Sequence, residues 1–371
     1  MKKTKVLFLI HTLGGGGAER ALVNLVNYMD KEKFDITLET MFGDGVNAKK
    51  LSPAVRHISK NAPCPKGISL LLKLFPSRLL YHYFVGEETY DVLIAYMHGA
   101  PVKVIAGNPH CKKIAWLHNG NPDTSTMFEN WMRKSNSFKA YAQCDRVVGV
   151  CQRVADAFME YTGIKNLSVI YNTLDTESIL EQAQQKPDVE FDHSVVNIVS
   201  TGRLAKEKGY ERLIEVCRTL KDDGFRFKLY LIGSGTLEKS IKKEISEAQL
   251  DEDVLLLGFQ ENPYSYVNAC DVFVCSSYTE GLSTATIEAL ILGNAVLSTD
   301  VSGAREILGE NEFGIVVENS KEGIYNGLKE LLSDPDKIAY YKRKARERAS
   351  FFDSRNTVKA VEELIAEVVN E

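Results

Sequence analysis

The sequence predicts an α/β fold with two domains, each built on a parallel sheet. Short apolar runs of strand length alternate with stretches of helical period along the whole chain, which is the pattern of βα units. The series starts afresh after a polar segment, residues 181–190, that is rich in Gln and charged residues. At 371 residues, the chain is also longer than one hydrophobic core usually serves.

The predicted strands of the first domain lie at residues 5–10, 35–40, 92–96, 113–117, 146–150 and 168–171. Those of the second domain lie at residues 195–200, 228–232, 254–257, 272–275, 295–298 and 314–317. A helical stretch begins at about residue 337 and ends with Val361, Leu364, Ile365 and Val368 at helical spacing. We place the domain boundary in the polar segment, so that residues 1–185 and 186–351 form the two domains.

The composition, 44% apolar and 26% charged, is that of a soluble globular protein. No apolar run approaches the ~20 residues of a membrane span. The basic N-terminus leads into an apolar run of only Val6–Ile10, so we expect a first strand rather than a signal peptide. Seven scattered cysteines without C-x-x-C spacing favour a reducing cytoplasm and no structural zinc. The net charge of −5 argues against a general nucleic-acid binder.

Two carboxylates, Glu280 and Glu288, lie eight residues apart across a predicted strand-to-helix turn. The helix is expected to begin near Ser283, whose hydroxyl can cap it. The amides of Leu282, Ser283 and Thr284 would then form an open helix N-terminus, which favours a diphosphate. This arrangement suits a nucleotide sugar, with one carboxylate for the sugar hydroxyls and one for the ribose. The alternative is a loop acid and a solvated helix position.

The first loop of the second domain contains Arg203 and Lys208 at the carboxyl end of a strand, where open α/β sheets bind ligands. Two cations there can neutralise a diphosphate and stabilise its departure, as a divalent metal does elsewhere. Lys206, between them, is interpreted as a solvated loop charge.

In the first domain, the strand at residues 113–117 ends at His118, which we expect in the active site because it follows a strand end. Asn119 and Asp123 come next and are candidates for the acceptor side. Nothing in the sequence gives comparable context to the other histidines, His11, His57, His82, His98, His110 and His193.

Four glycines, residues 14–17, follow the first strand and allow close approach of the backbone to a ligand. A dinucleotide fingerprint starting at Gly14 would need a glycine at position 19, which is Glu19. Glu39 nevertheless stands about where a ribose-binding acid belongs, so NAD binding stays open as an alternative.

These motifs together resemble the retaining glycosyltransferases of family 4, of the bacterial surface-polysaccharide type. The resemblance is carried by residues 277–290 with 293–296, by the Gly-Arg-Leu-x-x-x-Lys-Gly pattern around Arg203, and by residues 16–20. It implies the GT-B architecture, in which two Rossmann-like domains face each other across a cleft. Ser283 and Ala295 stand where many relatives have Pro, and Ser276 where Pro often precedes the Ser, but none of these departures removes a functional group.

The family resemblance implies transfer of a sugar from a nucleoside-diphosphate sugar, UDP-hexose or UDP-N-acetylhexosamine above all, to a glycan acceptor. That acceptor would be a polyprenyl-diphosphate-linked intermediate of capsule, exopolysaccharide or O-antigen synthesis. No metal and no cofactor are implied. The first domain would bind the acceptor and the second the donor, with a C-terminal helix at about 352–371 packing back on the first domain.

The resemblance also assigns residues to roles. The implied catalytic residues are His118, Glu280, Arg203 and Lys208. The implied donor-binding residues are Gly16, Gly17, Asn172, Gly202, Arg203, Lys208, Gly233, Gly235, Phe259, Glu280, Gly281, Leu282, Ser283, Thr284 and Glu288. The acceptor-side candidates are Glu19, Arg20, Asn119 and Asp123. A nucleotide-sugar hydrolysing epimerase of the same fold and an inactive partner subunit remain as alternatives, although the inactive subunit would be expected to lack one of the four charged donor-site residues.

Residues 45–86 contain seven Lys and Arg residues and no Asp or Glu. Within them, residues 66–84 are apolar and basic together, which favours contact with an anionic membrane surface. The sequence therefore predicts a cytoplasmic protein that binds the inner face of the plasma membrane peripherally. The alternative is a core helix whose lysine stems lie along apolar surface.

Overall fold

The structure, a computed structural model, describes residues 2–60, 72, 74–118 and 138–371. It divides into two compact units, Met1–Leu174 with Ser354–Glu371, and Asp175–Asp353. The first unit ends before the expected boundary at 185 because the segment after Leu174 packs on the second unit. There the carbonyl oxygens of Gln182 and Ala183 accept hydrogen bonds from Asn262 and Asn268.

The first unit contains a seven-stranded sheet in the order β3-β2-β1-β4-β5-β6-β7, with every pair of neighbours parallel. Its strands are β1 Thr4–Ile10, β2 Phe34–Thr40, β3 Arg56–Ser59, β4 Val92–Ala95, β5 Lys112–Leu117, β6 Arg146–Gly149 and β7 Leu167–Val169. The helices described before β7 are α1 Gly17–Tyr28, α2 Ser77–Phe84, α3 Ala100–Ile105, α4 Phe138–Tyr141 and α5 Gln152–Thr162, with a 3₁₀ helix at Val46–Lys50.

The second unit contains a six-stranded parallel sheet in the order β10-β9-β8-β11-β12-β13. Its strands are β8 Val196–Thr201, β9 Phe227–Ile232, β10 Val254–Gly258, β11 Val272–Cys275, β12 Ala295–Thr299 and β13 Ile315–Val317. Its helices are α6 Thr176–Gln182, α7 Tyr210–Asp222, α8 Glu238–Glu247, α9 Tyr264–Ala269, α10 Thr284–Leu292, α11 Ala304–Leu308, α12 Lys321–Ser333 and α13 Pro335–Ala349, with 3₁₀ helices at Lys206–Lys208 and Ser350–Phe352.

The prediction of two parallel α/β sheets is confirmed, and all twelve predicted strands occur within two residues of their expected ends. β3 is a thirteenth strand that the sequence did not predict. Its residues, Arg56–Ser59, include a single aliphatic side chain, Ile58, because an edge strand needs less apolar surface than a central one.

The last helix, α14 Ser354–Asn370, belongs to the first unit although the chain has just left the second. It buries an apolar stripe at helical spacing that includes Val361, Leu364, Ile365 and Val368. Glu362 accepts a hydrogen bond from the amide of Asp30 at 2.6 Å, next to the end of α1. Arg146, at the start of β6, forms ion pairs of 2.8 Å with Glu367 and Glu371.

The strand order reverses between β1 and β4 in the first sheet and between β8 and β11 in the second. In open parallel sheets, ligands bind beyond the carboxyl ends of the strands at such a switch point. The loops to inspect for a site are therefore those that follow these four strands. No helix among the described residues has the length and apolar character needed to cross a membrane.

Candidate active site

The loops after β8 and β11 bring a predicted cation and a predicted acid together at the switch point of the second sheet. Lys208 Nζ donates a hydrogen bond to Glu280 Oε1 at 2.6 Å. Ser277 Oγ donates to the same carboxylate oxygen, also at 2.6 Å. Lys208 and Glu280 are 72 residues apart in the sequence, so the sheet order is what makes them neighbours.

Most of this ion pair is shielded from water, since the side chains of Lys208 and Glu280 are 21% and 14% exposed. Burial acts to lower the pKa of Lys208, but attraction to the Glu280 carboxylate opposes burial, and the net pKa is raised above its ordinary value. Lys208 is therefore positively charged at neutral pH. The pair lines a small cavity together with Ser200, Cys275 and Ser283.

Arg203 is placed differently from Lys208, although both belong to the same loop. Its side chain is 73% exposed and forms an ion pair with Glu207 at 2.7 Å, four residues further along. Exposed pairs of this spacing contribute only ~0.3–0.5 kcal/mol. Arg203 can therefore exchange Glu207 for an anionic ligand at little cost.

The predicted helix N-terminus after Glu280 is confirmed. Helix α10 begins at Thr284, and the hydroxyl oxygen of its N-cap, Ser283, accepts a hydrogen bond from the amide of Thr286 at 3.3 Å. Gly281 and Leu282 are buried in the turn before the helix. The amides that precede Thr286 lie ahead of the first intrahelical hydrogen bonds, which is the geometry that binds anions.

Glu288 is buried in the second turn of α10, with 7% of its surface exposed. The hydroxyl of Tyr264, on α9, donates to Glu288 Oε1 at 3.4 Å. The alternative of a solvated helix position for Glu288 is therefore wrong. A carboxylate held inside the fold in this way has a restricted orientation.

The predicted glycines Gly233 and Gly235 allow two loop backbones of the second unit to pack in direct contact. Gly233, at φ +144°, lies so close to the β8 loop that a Cβ atom would be 1.8 Å from the carbonyl oxygen of Gly202. A Cβ atom on Gly235 would be 2.3 Å from the carbonyl oxygen of Leu204. These glycines hold the loops after β8 and β9 together. Phe259 follows β10, and 72% of its surface is exposed.

In the first unit, His118 follows β5 and its ring lies 4.8 Å from the ring of Tyr96, which follows β4. Both ring nitrogens of His118 are buried, and neither makes a hydrogen bond of normal geometry to the described residues. Burial, reinforced by His98, lowers the pKa of His118 to about 3. His118 is therefore a neutral imidazole at physiological pH.

The glycine loop after β1 leads directly into α1, with Gly16 at the N-cap and Gly17 as the first helical residue. Glu19, in the first turn, folds back over this loop, so that a Cβ atom on Gly16 would be 2.2 Å from Glu19 Oε2. Arg20 follows it in α1. Asn172, 5% exposed, has a buried side-chain oxygen without a hydrogen-bond partner among the residues that the structure describes. Asn119 and Asp123 lie outside the described residues.

Two family models match the chain. Residues 15–178 match Glycosyltransferase Family 4, and residues 181–348 match Glycosyl transferases group 1. A relative from Campylobacter jejuni, N-acetylgalactosamine-N,N'-diacetylbacillosaminyl-diphospho-undecaprenol 4-alpha-N-acetylgalactosaminyltransferase, is 30% identical over 94% of this chain and 96% of its own. The chain belongs to glycosyltransferase family 4.

Other similarities to this family 4 glycosyltransferase are more distant. The lipopolysaccharide core biosynthesis glycosyltransferase LpsE of Rhizobium meliloti is 24% identical over 86% of each chain. The crystal structure of HepE from Anabaena, in complex with UDP and glucose, superposes with a TM-score of 0.75 at 20% identity, covering 98% of this chain and 100% of HepE. The fold is thus GT-B, as the sequence predicted. Family membership favours the glycosyltransferase interpretation over the dinucleotide-binding alternative, and Glu39 is buried within β2.

Two further histidines of this family 4 glycosyltransferase follow strands near that of His118, although nothing in their sequence context singled them out. His11 follows β1 and His98 follows β4, and both strands are near β5 in the sheet. Burial, reinforced by His98, lowers the pKa of His11 to about 4, and burial lowers the pKa of His98 as well. His11, His98 and His118 are far apart in the sequence, so their grouping could be recognised only once the order of strands in the sheet was known.

Proposed function

We propose that this family 4 glycosyltransferase moves a hexosyl or N-acetylhexosaminyl group, with retention, from a UDP-sugar to a polyprenyl-diphosphate-linked glycan of bacterial surface-polysaccharide synthesis. The observation that carries the proposal is the shielded Lys208–Glu280 pair at the switch point of the second sheet. Similarity to a transferase named for a diphospho-undecaprenol acceptor, over 94% of this chain, supports the acceptor class. The UDP complex of HepE supports the donor class.

The donor would bind to the second unit. An ammonium group has three donor hydrogens, so Lys208 can keep its bond to Glu280 while it donates to a phosphate oxygen. Arg203 and the first amides of α10 would bind the remaining diphosphate charge. Glu280 would then accept hydrogen bonds from the sugar hydroxyls, and the buried Glu288 from the ribose.

The proposed mechanism is internal return, in which the leaving phosphate itself deprotonates the acceptor hydroxyl. A double displacement would need a carboxylate nucleophile on the sugar face opposite the leaving group. Neither Glu280, bound to Lys208, nor Glu288, bound to Tyr264, is assigned that role. Protein cations stabilise the leaving diphosphate, so the reaction proceeds without a divalent metal. Neutral His118, in the first unit, acts as a hydrogen-bonding group for the reacting sugar.

The acceptor side would use the basic segment 45–86 to reach the membrane. Helix α2 packs Leu80, Tyr81 and Phe84 into the first unit, while Leu79 and Tyr83 are 59% and 67% exposed. Leu74, just before the helix, is 81% exposed. Residues 45–86 contain seven Lys and Arg residues and no acid, and Arg56 pairs with Glu88 just beyond them, so the occupant that fits this segment is a bilayer with anionic headgroups.

Flotation with anionic vesicles tests this surface. We expect the triple substitution of Lys66, Lys73 and Arg78 to Glu to release the protein from the vesicles and to slow transfer to a long-chain lipid acceptor. Slow donor hydrolysis, which needs no membrane, should be spared. A matched control is the substitution to Glu of three exposed lysines on α8, namely Lys239, Lys242 and Lys243. If the triple variant and the α8 control both float with anionic vesicles as well as the wild type does, segment 45–86 is not the membrane-binding surface.

A panel of UDP- and GDP-sugars tests the donor class, with slow hydrolysis and acceptor-dependent transfer measured side by side. We expect one UDP-sugar to be hydrolysed slowly and consumed much faster when a lipid-linked acceptor is added. Rapid release of a 2-epimerised sugar without acceptor would instead identify a hydrolysing epimerase. Absence of turnover with every donor, in protein that binds no UDP, would identify an inactive partner subunit.

A further inference from the structure

A buried arginine lies beneath the loop that carries Glu280. Arg212, in the first turn of α7, is 5% exposed. Its Nε and Nη2 atoms donate to the carbonyl oxygen of Ser276 at 2.9 and 2.6 Å, and Nη2 also donates to that of Ser277 at 2.7 Å. Nη2 lies 2.7 Å from the acceptor Asn319 Oδ1. The guanidinium carbon stands 3.9 Å from the ring centre of Tyr278.

The contacts of Arg212 are concentrated on one short segment, Ser276–Tyr278. The acceptors are two backbone carbonyls and one amide, and the packing partner is an aromatic ring, so the charge is solvated by dipoles and a π-face. Burying a guanidinium is costly unless its hydrogen bonds are satisfied. An aliphatic side chain would fill the space on α7 without that cost, whereas only a planar fork can hold two successive carbonyls.

The segment that Arg212 holds connects the two halves of the donor site. Ser276 Oγ donates to the carbonyl oxygen of Lys208 at 2.9 Å, and the Tyr278 amide donates to that of Glu207 at 2.8 Å. Ser277 Oγ then donates to Glu280 Oε1 at 2.6 Å. Arg212 binds the carbonyl oxygens of Ser276 and Ser277. The three bonds above start from Ser276, Ser277 and the adjacent Tyr278, so all of them depend on where Arg212 holds this backbone.

Close packing around this contact leaves little room for adjustment. Gly209, at φ +62°, has no side chain, and a Cβ atom there would lie 2.4 Å from the carbonyl oxygen of Ser276 and 2.8 Å from Arg212 Nε. Asn319 completes the enclosure, because its Nδ2 donates to the carbonyl oxygen of Tyr278 at 2.9 Å while its Oδ1 accepts from Arg212. Arg212 thus fixes three consecutive residues, directly or through Asn319.

We propose that Arg212 is a positioning residue for sugar transfer, which holds Ser276–Tyr278 so that Ser277 aims the Glu280 carboxylate at the donor sugar. The inference rests on the proposed function. On this proposal, Arg212 affects recognition of the donor sugar through Glu280 more than it affects recognition of the nucleotide. The N-terminus of α10 and Glu288 have hydrogen bonds of their own, to Ser283 and to Tyr264.

Arg212→Lys tests the proposal because it keeps the charge but loses the planar fork. We expect turnover at saturating donor to fall about 10–100-fold, the loss associated with a misplacement of about 1 Å. The Kd for UDP should change much less than turnover does, because Glu288 and the first amides of α10 lie outside the loop, whereas Lys208 and Glu207 are bonded to it only through their backbone carbonyls. Hydrogen exchange of the Tyr278 amide should become faster. Asn319→Ala should act in the same direction with a smaller effect.

The matched control is Arg218→Lys, on the same helix, where the arginine side chain is 40% exposed, pairs with Asp222 at 2.9 Å and donates to the carbonyl oxygen of Ala248, away from the donor loop. The proposal would be overturned if both Arg212→Lys and Asn319→Ala matched the control in turnover and in the exchange rate of the Tyr278 amide. So would a loss of UDP affinity in proportion to turnover. If Arg212→Lys does not fold, Asn319→Ala decides by the same criteria. If the wild type transfers no sugar, the proposed function fails, but exchange at Tyr278 still decides whether Arg212 holds the loop.

Discussion

Replacement of Lys208 by Met removes the cation of the donor site and leaves Glu280 in place. Loss of one partner costs ~3–5 kcal/mol in a fully buried ion pair and ~0.2–1 kcal/mol in an exposed one. Because Lys208 and Glu280 are 21% and 14% exposed, we expect the free energy of unfolding to fall by about 2 kcal/mol. In a unit of this size, that corresponds to a Tm lower by about 4–8 °C.

The double variant Lys208→Met/Glu280→Gln distinguishes structural from chemical effects, because it also removes the unpaired carboxylate. We expect it to recover at least half of the lost stability while its transfer rate stays about 10²–10³-fold below that of the wild type. Urea unfolding and transfer assays on the same preparations measure both quantities.

A suitable control is Lys221→Met, since Lys221 pairs with Asp253 at the same 2.6 Å but with exposures of 42% and 24%. We expect a smaller loss of stability there and no loss of transfer. Equal destabilisation by Lys208→Met and Lys221→Met, or a double variant no more stable than Lys208→Met, would refute the reasoning from burial.

The remaining predictions address the other groups of the site. Glu288→Gln should weaken binding of UDP alone, measured by calorimetry, whereas Glu280→Gln should impair transfer and leave UDP affinity nearly unchanged. EDTA should not abolish transfer, and a strict requirement for Mn²⁺ or Mg²⁺ would contradict the protein-cation mechanism. The pKa of His118 is lowered from 6.5 to about 3 in the folded protein. As pH drops below 6.5, the unfolded chain therefore takes up a proton at His118 while the folded protein does not, and the free energy of unfolding falls. Between pH 7 and pH 5, the free energy of unfolding measured in urea should fall by about 2 kcal/mol less in His118→Gln than in the wild type.

The strands and the donor helix could be predicted because their signals are local. Buried parallel strands form short apolar runs, as in Val272–Cys275, and Ser283 caps its helix through a hydroxyl three residues before the amide that it accepts from. The edge strand Arg56–Ser59 has no such run and was missed. Residues 175–185 were assigned to the first domain because the boundary was placed in the polar segment 181–190, whereas the backbone carbonyls of Gln182 and Ala183 bond to the second unit.

Side-chain partners were harder to predict, because they depend on which strands are neighbours. The Lys208–Glu280 pair follows from the β8–β11 adjacency, and the grouping of His11 and His98 with His118 follows from the β1-β4-β5 order. Arg203 was expected to share the role of Lys208; its side chain is exposed and pairs with Glu207, and its part in donor binding stays a prediction. Arg212 resembles any charged residue of an amphipathic helix until the carbonyl oxygens of Ser276 and Ser277 are seen against it.

The most direct test of the central claim is the stereochemistry of a single transfer reaction. The wild-type protein would be incubated with the UDP-sugar selected from the panel and a polyprenyl-diphosphate-linked glycan, in the presence of EDTA, and the product's new linkage examined by proton NMR. We predict an α-linkage from an α-linked donor, formed at a rate that Lys208→Met lowers by about 10²–10³-fold. A β-linked product, or transfer unaffected by Lys208→Met, would contradict the account.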